Sequence, residues 1–194
     1  MAYTTKALVK ASLGIPNSMT SEDAAIDAAI LAADTSIDQY CGRTFEATAS
    51  QVRAYQPTSA FLVYCDDLAS TTVTVKTDDD DDGIYETTLT ANTDYIVYGN
   101  TAPYRLIKNV NGGWPLSYYG RPTVQITGTF GYQAAVPNTV KQASLLLSSR
   151  LYQRKASPLG FQAGVVSELG PVRISRNDPD VAAMLAGLRL FGVA

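Results

Sequence analysis

The chain of 194 residues has no histidine, two cysteines and one tryptophan. Without an imidazole there is no Ser-His-Asp or Cys-His arrangement, and the commonest general base and transition-metal ligand are both missing. Cys41 and Cys65 cannot supply the four ligands of a structural zinc. Two thiols in a chain this long also fall far below the density of a secreted disulfide scaffold, so both are expected as buried free thiols. Neither G-x-x-x-x-G-K-[ST] nor G-x-G-x-x-G occurs, which removes the usual phosphate loops. No window approaches the run of about 20 apolar residues that a bilayer span needs. The opening Met1-Ala2-Tyr3-Thr4-Thr5-Lys6 is no basic stretch leading into an apolar one. Together these absences predict a soluble protein made in the cytoplasm, with no membrane contact, no cofactor and no enzymatic activity.

What is present is enough apolar residue, 46%, to bury a substantial core in one domain or in one domain carrying an insertion. The net charge of −3 argues against general nucleic-acid binding, yet it is unevenly spread. Residues 1 to 136 hold 8 Lys/Arg and 15 Asp/Glu, whereas residues 137 to 194 hold 7 and 3. Five of the acids sit in one stretch, Asp78 to Asp82.

The first segment reads helical. Thr4 or Thr5 can cap a short helix through Leu8 and Leu13, and Gly14 followed by Ile15-Pro16 ends it. In the next, Thr20 with Asp23 fits a capping box, and Ile26, Ile30, Ala33, Ile37 and Cys41 line one face before Gly42. From about Gln51 to Gln133 the pattern turns to short β-rich runs: Phe61 to Tyr64, Thr72 to Lys76, Ile84 to Leu89, Tyr95 to Tyr98, Tyr104 to Lys108 and Thr123 to Thr127. Asp-Gly, Gly-Asn and Asn-Gly-Gly separate them. Helix returns at Pro137 with a stripe of Val140, Ala143, Leu147 and Leu151, and Ser157-Pro158-Leu159-Gly160 stops it. An extended stretch, Val165 to Ile174, precedes a last short helix from Asp178-Pro179 with Val181, Leu185 and Leu188 on one side. The predicted class is α+β: a helical bundle from residues 1–50 and 134–160, an inserted antiparallel sandwich or barrel at 51–133, and a C-terminal arm with a short helix at 161–194.

Three groups of charged residues invite a chemical reading. Asp78, Asp80 and Asp82 before Gly83 match the start of a D-x-[DN]-x-[DN]-G calcium loop, but the twelfth position is Leu89 and Glu86 lies three places early. An acidic hairpin tip between Val73-Thr74-Val75 and Ile84-Tyr85-Glu86 explains the same residues without an ion. Asp66 or Asp67 with Glu86 or Asp94 is the one conceivable hydrolytic carboxylate pair. Finally, Asp23, Asp27, Asp34 and Asp38 form an acidic helix face with no Lys or Arg between Glu22 and Gly42, and Arg150, Arg154 and Lys155 form a basic helix end. The two sets are candidates to meet between neighbouring subunits, although solvation of the one and helix-dipole compensation by the other need no partner. A calcium-assisted carbohydrate-binding or adhesion module, with Trp114 and Tyr118-Tyr119 as exposed aromatics, is the alternative function.

Leu8 to Leu13 with Ile15-Pro16, then an alanine-rich helix ending Ile37-Asp38-Gln39-Tyr40-Cys41-Gly42-Arg43-Thr44-Phe45, resembles the N-terminal part of the phage head-tail connector (adaptor) family. Val136-Pro137 with Val140, Ala143, Leu147, Arg150-Leu151-Tyr152, Arg154 and Ser157-Pro158-Leu159-Gly160 resembles its closing helix. The β insert, with its Asp-rich loop, Pro103-Tyr104 and Gly128-Thr129-Phe130-Gly131-Tyr132, is similar to the longer members found in phages and prophages of actinobacteria. The resemblance implies a virion protein at the head-tail interface. It implies a dodecameric ring of the chain under the portal protein, a stopper or tail-completion protein below, and DNA passing through without sequence-specific binding. It also implies that the arm beyond Gly160, basic at Arg173 and Arg176, contacts the portal. Short members of the family are almost wholly helical, which leaves the role of the β insert open.

Overall fold

A computed structural model describes residues 2–156 and 179–190. The chain divides into two compact units: residues 1–43 with 137–194, and residues 44–136. The fold is α+β, with N- and C-terminal helices packed together and an antiparallel, nearly closed β barrel inserted between them in sequence. The expected extended stretch Val165 to Ile174, together with Arg173 and Arg176, lies outside the described residues.

In the helical unit, α1 spans Lys6–Leu13 and α2 spans Asp23–Cys41. Thr5 caps α1 by accepting the Leu8 N–H at 3.3 Å. Gly14 (φ 69°) and Gly42 (φ 66°) end the two helices in the left-handed conformation, where a Cβ is disfavoured. The capping box expected at Thr20 is not used. Glu22 stands at the N-cap of α2 without a side-chain cap bond, because its carboxylate is taken by Tyr152 and Lys155. The predicted stripe of α2 is buried throughout, Ile26, Ile30, Ala33, Ile37 and Cys41 being at most 5% exposed. Each isoleucine contributes roughly 1.5 to 3 kcal/mol.

The third helix, α3, spans Asn138–Gln153 and packs on α2. Its most buried line is Val140, Ala143, Ser144 and Ser148, not the expected one through Leu147 and Leu151, which are half-buried. Small side chains let the helix backbones approach, and Leu145 with Tyr152 packs on the cluster of Val9, Ile26 and Ile30. The last helix, α4 (Pro179–Leu185), also packs on α3, with Val181 and Leu185 buried.

The second unit holds seven strands: β1 Thr48–Tyr55, β2 Leu62–Leu68, β3 Thr74–Thr77, β4 Thr87–Leu89, β5 Tyr95–Tyr98, β6 Tyr104–Asn109 and β7 Val124–Phe130. All strand pairs are antiparallel, in the order β4-β3-β7-β2-β6-β5, with β1 on the other edge of β7. Alternate residues point inward as the pleat requires, and Val63, Cys65, Leu68, Val75, Ile107, Val124, Ile126 and Phe130 make the core. Asp66 of β2 accepts from Arg53 (2.7 Å) and Tyr55 (2.9 Å) of β1, which ties those two strands through side chains. After β7, Gly131 (φ 141°) lies so close to the segment leading into β1 that a Cβ would collide with the Glu46 carbonyl. β1 was absent from the expected runs, since its Thr-Ala-Ser-Gln start carries no alternating apolar signal and only the ladder with β7 holds it.

Candidate functional site

The acidic stretch lies in the β3–β4 connection. Pairing runs Val75↔Leu89, Lys76↔Thr88 and Thr77↔Thr87, so the loop is 78–86 and the strands sit further out than the expected Val73-Thr74-Val75 and Ile84-Tyr85-Glu86. Asp78 is buried and accepts the N–H groups of Asp82 (3.2 Å) and Gly83 (2.8 Å), while Asp79 accepts the Thr87 hydroxyl at 2.6 Å. One carboxylate oxygen from each of Asp78, Asp80, Asp82 and Glu86 falls within 4.8 Å of the others. Such a set can surround a hard cation, yet the backbone and hydroxyl donors already fold the loop, as an acidic tip requires.

Asp81 turns the other way. With φ 63° it projects its carboxylate onto the 117–121 turn, accepting from Ser117 Oγ at 2.8 Å and from Tyr118 N at 3.1 Å. Arg121 Nη1 donates to its carbonyl at 3.3 Å and the guanidinium lies over the Tyr119 ring. One aspartate therefore pins a turn whose two tyrosines, 91% and 73% exposed, meet edge to face. Ile84 and Leu116 are exposed as well. Trp114, by contrast, is buried in the barrel core, and its backbone N–H donates to the Ala60 carbonyl. It is an anchor and offers no platform to a sugar ring, which removes one of the exposed aromatics expected of an adhesion module.

The outer face of β2, β6 and β5 was not singled out from the sequence. Register places Leu62 beside Lys108 beside Ile96, and Tyr64 beside Leu106 beside Tyr98. These side chains point away from buried Val63 and Ile107, and Phe61 and Val110 extend the patch at one end. Tyr98 is 63% and Phe61 57% exposed, lining a shallow groove with Leu106 and Lys108. Lys108 is exposed and has no ion pair among the described residues. A signal was present: Phe61-Leu62-Val63-Tyr64 and Tyr95-Ile96-Val97-Tyr98 are apolar on both faces, whereas a strand with one wet face alternates.

The charges singled out in the helical unit have partners in the same chain. Asp23 pairs with Lys10 and Lys6, and Asp27 with Lys6 at 2.8 Å. Asp34, 5% exposed, accepts the Tyr3 N–H at 3.0 Å and the Ser144 hydroxyl at 2.5 Å, and Asp38 accepts the Tyr3 hydroxyl at 2.6 Å. Burial raises both of these carboxyls above the usual aspartate value, against the hydrogen bonds that lower them. Arg150 meets Asp180 of α4 at 3.2 Å, Lys155 meets Glu22 at 2.7 Å, and Arg154 lies in the turn after α3. The Lys155 hydrogen bond holds Glu22 below its ordinary value. Asp34 and Asp38 are thus held by Tyr3 and Ser144, and Arg150 and Lys155 by Asp180 and Glu22, all within one chain.

The conceivable hydrolytic acids are also occupied separately. Asp66 is held by Arg53 and Tyr55, buried Asp67 lies 3.3 Å from Arg105, and Asp94 closes a turn by accepting from Thr90 N and Asn111. Cys41 and Cys65 are buried and free, and burial pushes the Cys65 thiol up to about 12, so it carries no thiolate near neutrality. No helix among the described residues is long and apolar enough to cross a membrane.

No protein-family model and no curated protein sequence matches the chain. Solved structures do. A chain in the neck of an empty gene transfer agent (GTA) particle, computed with C6 symmetry, is 18% identical over 97% of this chain and 90% of that one, with a TM-score of 0.64. A second, in the neck of the native GTA particle computed with C12 symmetry, is 18% identical over 88% and 85%, with a TM-score of 0.57. A third, in the virion of the native particle, is 18% identical over 97% and 89%, with a TM-score of 0.52. In fold, this chain is similar from end to end to a component of the neck of a phage-like particle.

Proposed function

We propose that the chain is a head-to-tail connector of a tailed phage-like virion, a non-enzymatic adaptor. It forms a ring, dodecameric as in its resemblance family, between the portal and a stopper or tail-completion protein. DNA passes through the ring without sequence-specific binding. The observation that carries this reading is the likeness to GTA neck chains over 97% of the chain, the β insert included, where short connectors are almost wholly helical. The C6 and C12 symmetries of those necks suit a ring. The net charge of −3 suits passage of DNA better than tight phosphate binding.

The test is negative-stain imaging of the protein alone and on its portal. Rings of the chain seated on the portal are expected; a chain that neither forms rings nor binds portal under any condition overturns the proposal. Portal contact by the arm is tested by Arg173→Glu with Arg176→Glu, expected to weaken binding while leaving the fold intact. Deletion from residue 161 is a poorer test, because it also removes α4 and its buried Val181 and Leu185.

A further inference from the structure

The two exposed patches of the β unit share no residue and differ in character. One is the tip, formed by the 78–86 loop and the 117–121 turn. It exposes Ile84, Leu116, Tyr118 and Tyr119 among the carboxylates of Asp79, Asp80, Asp82 and Glu86. The other is the outer face of β2, β6 and β5, where Phe61, Tyr64, Tyr98 and Leu106 surround the ammonium of Lys108, which has no ion pair among the described residues. Apolar area this concentrated on a folded surface marks an interaction site.

We infer that these patches bind each other between copies: the tyrosine tip of one subunit seats on the Lys108-centred face of the next. The inference rests on the ring reading and adds its contact surface. Three observations carry it. A cyclic assembly of more than two copies needs a heterologous interface, two different patches on every subunit, and the β unit has two. Their charges are complementary, since a single cation sits amid the apolar face and the tip is ringed by acids. Residues 44–136 hold 10 Asp/Glu against 5 Lys/Arg, so a second acidic surface opposite the tip would be repelled. The tip is also prebuilt. Asp81 fixes the tyrosine turn through Ser117, Tyr118 and Arg121, so little ordering cost remains for binding.

Both patches lie on exposed side chains, so they can be changed without disturbing the barrel core. Full-length protein carrying Tyr98→Cys with Tyr118→Cys is treated with a short bismaleimide; native Cys41 and Cys65 are buried and give little background. The expected result is a ladder of dimer, trimer and higher species from the double variant and mostly monomer from each single one. Lys108→Glu should reduce the cross-linked fraction about tenfold, and adding Asp80→Lys with Glu86→Lys should restore it to within about threefold. No ladder, or strong dimer from Tyr118→Cys alone, overturns the inference. So does a Tyr98→Cys thiol that stays open to maleimide in the assembled chain and is shielded only by added portal protein, since the occupant is then the portal. Imaging separates the two levels: rings without a ladder keep the connector reading and remove this contact, and a ladder supports the contact whatever the images show.

Discussion

Asp34 is the most informative single residue of the helical unit, because sequence presents it as part of a solvated acidic face and the structure buries it. Asp34→Ala removes the acceptor of the Tyr3 N–H and of the Ser144 hydroxyl. Ser144 is fully buried, so its hydroxyl is left without that partner. Each hydrogen bond to a charged group contributes roughly 1.5 to 3 kcal/mol, partly offset by release of the buried carboxylate, giving a net cost of about 3 kcal/mol. At about 2 to 4 °C per kcal/mol for a chain of this size, the helical transition should fall by roughly 6 to 12 °C. Ser144→Ala alone should cost less, and the double variant should recover about 1 to 2 kcal/mol of coupling.

The pH dependence has a definite sign. Burial raises the Asp34 carboxyl, so the folded state holds its proton more tightly than the unfolded state does. The stability this adds is greatest below the ordinary value of 3.8 and is lost as pH rises through the folded value. The penalty of Asp34→Ala should therefore be larger near the acid end of that window than at neutrality. Glu22 and Asp23, whose values are lowered, act in the opposite direction, but they are common to both proteins and cancel in the difference. Thermal melts followed by circular dichroism across this range read the effect. A penalty below about 0.5 kcal/mol, or one that grows toward neutral pH, refutes the assignment of Asp34 as a buried polar brace.

Three further outcomes follow from the packing. Lys10, 3% exposed, donates to the Asn17 and Met19 carbonyls and meets Asp23, so Lys10→Ala should cost about 3 kcal/mol in a melt by stranding the two carbonyls and leaving Asp23 only its longer contact with Lys6. Gly131→Ala sets a Cβ against the Glu46 carbonyl at φ 141°, and should lose at least about 3 kcal/mol in urea unfolding of the β unit while the helical unit is spared. Asp81→Ala frees the 117–121 turn, so limited chymotrypsin should cut after Tyr118 or Tyr119 at least about tenfold faster, with little change in the barrel core.

The class of fold was legible because its signals are local. Thr5, Gly14 and Gly42 punctuate helices by their own conformational preferences, and Ile26, Ile30, Ala33, Ile37 and Cys41 repeat at the period of one face. What escaped was set at long range. β1 is a strand because β7 supplies its ladder, and Ser144 is a core residue because Asp34 waits opposite it, 110 positions away in the chain. The partners of the α2 acids were hidden for the same reason: Lys6 and Lys10 precede α2 in the chain, yet α1 carries Lys6 to Asp23 and Asp27 and Lys10 to Asp23. The Asp-rich loop was legible as a hairpin tip, but that Asp81 leaves it to hold the tyrosine turn depends on Ser117, 36 positions further along the chain.

The distribution of exposed apolar residues bears on why the proposed connector would carry a β insert. Among the described residues, nine of the thirteen exposed large hydrophobics lie in the β unit, although its own core is complete without them. In the helical unit the polar capacity is turned inward, with Lys10, Asp34 and Ser144 spent on joining α1, α2, α3 and the N-terminal segment. Among the described residues the helical unit pairs most of its charges internally, whereas exposed tyrosines and Lys108 on the strands of the β unit supply both apolar area and register. On the inferred contact, the insert would be the adhesive part of the subunit and the helices its brace. This division predicts that Lys108→Glu disrupts assembly with the melting temperature unchanged, and that Asp34→Ala lowers the melting temperature while assembly below the transition persists. The converse pattern, in which the helical variant abolishes assembly of folded protein and the barrel variant does not, would assign the contact surface to the helices.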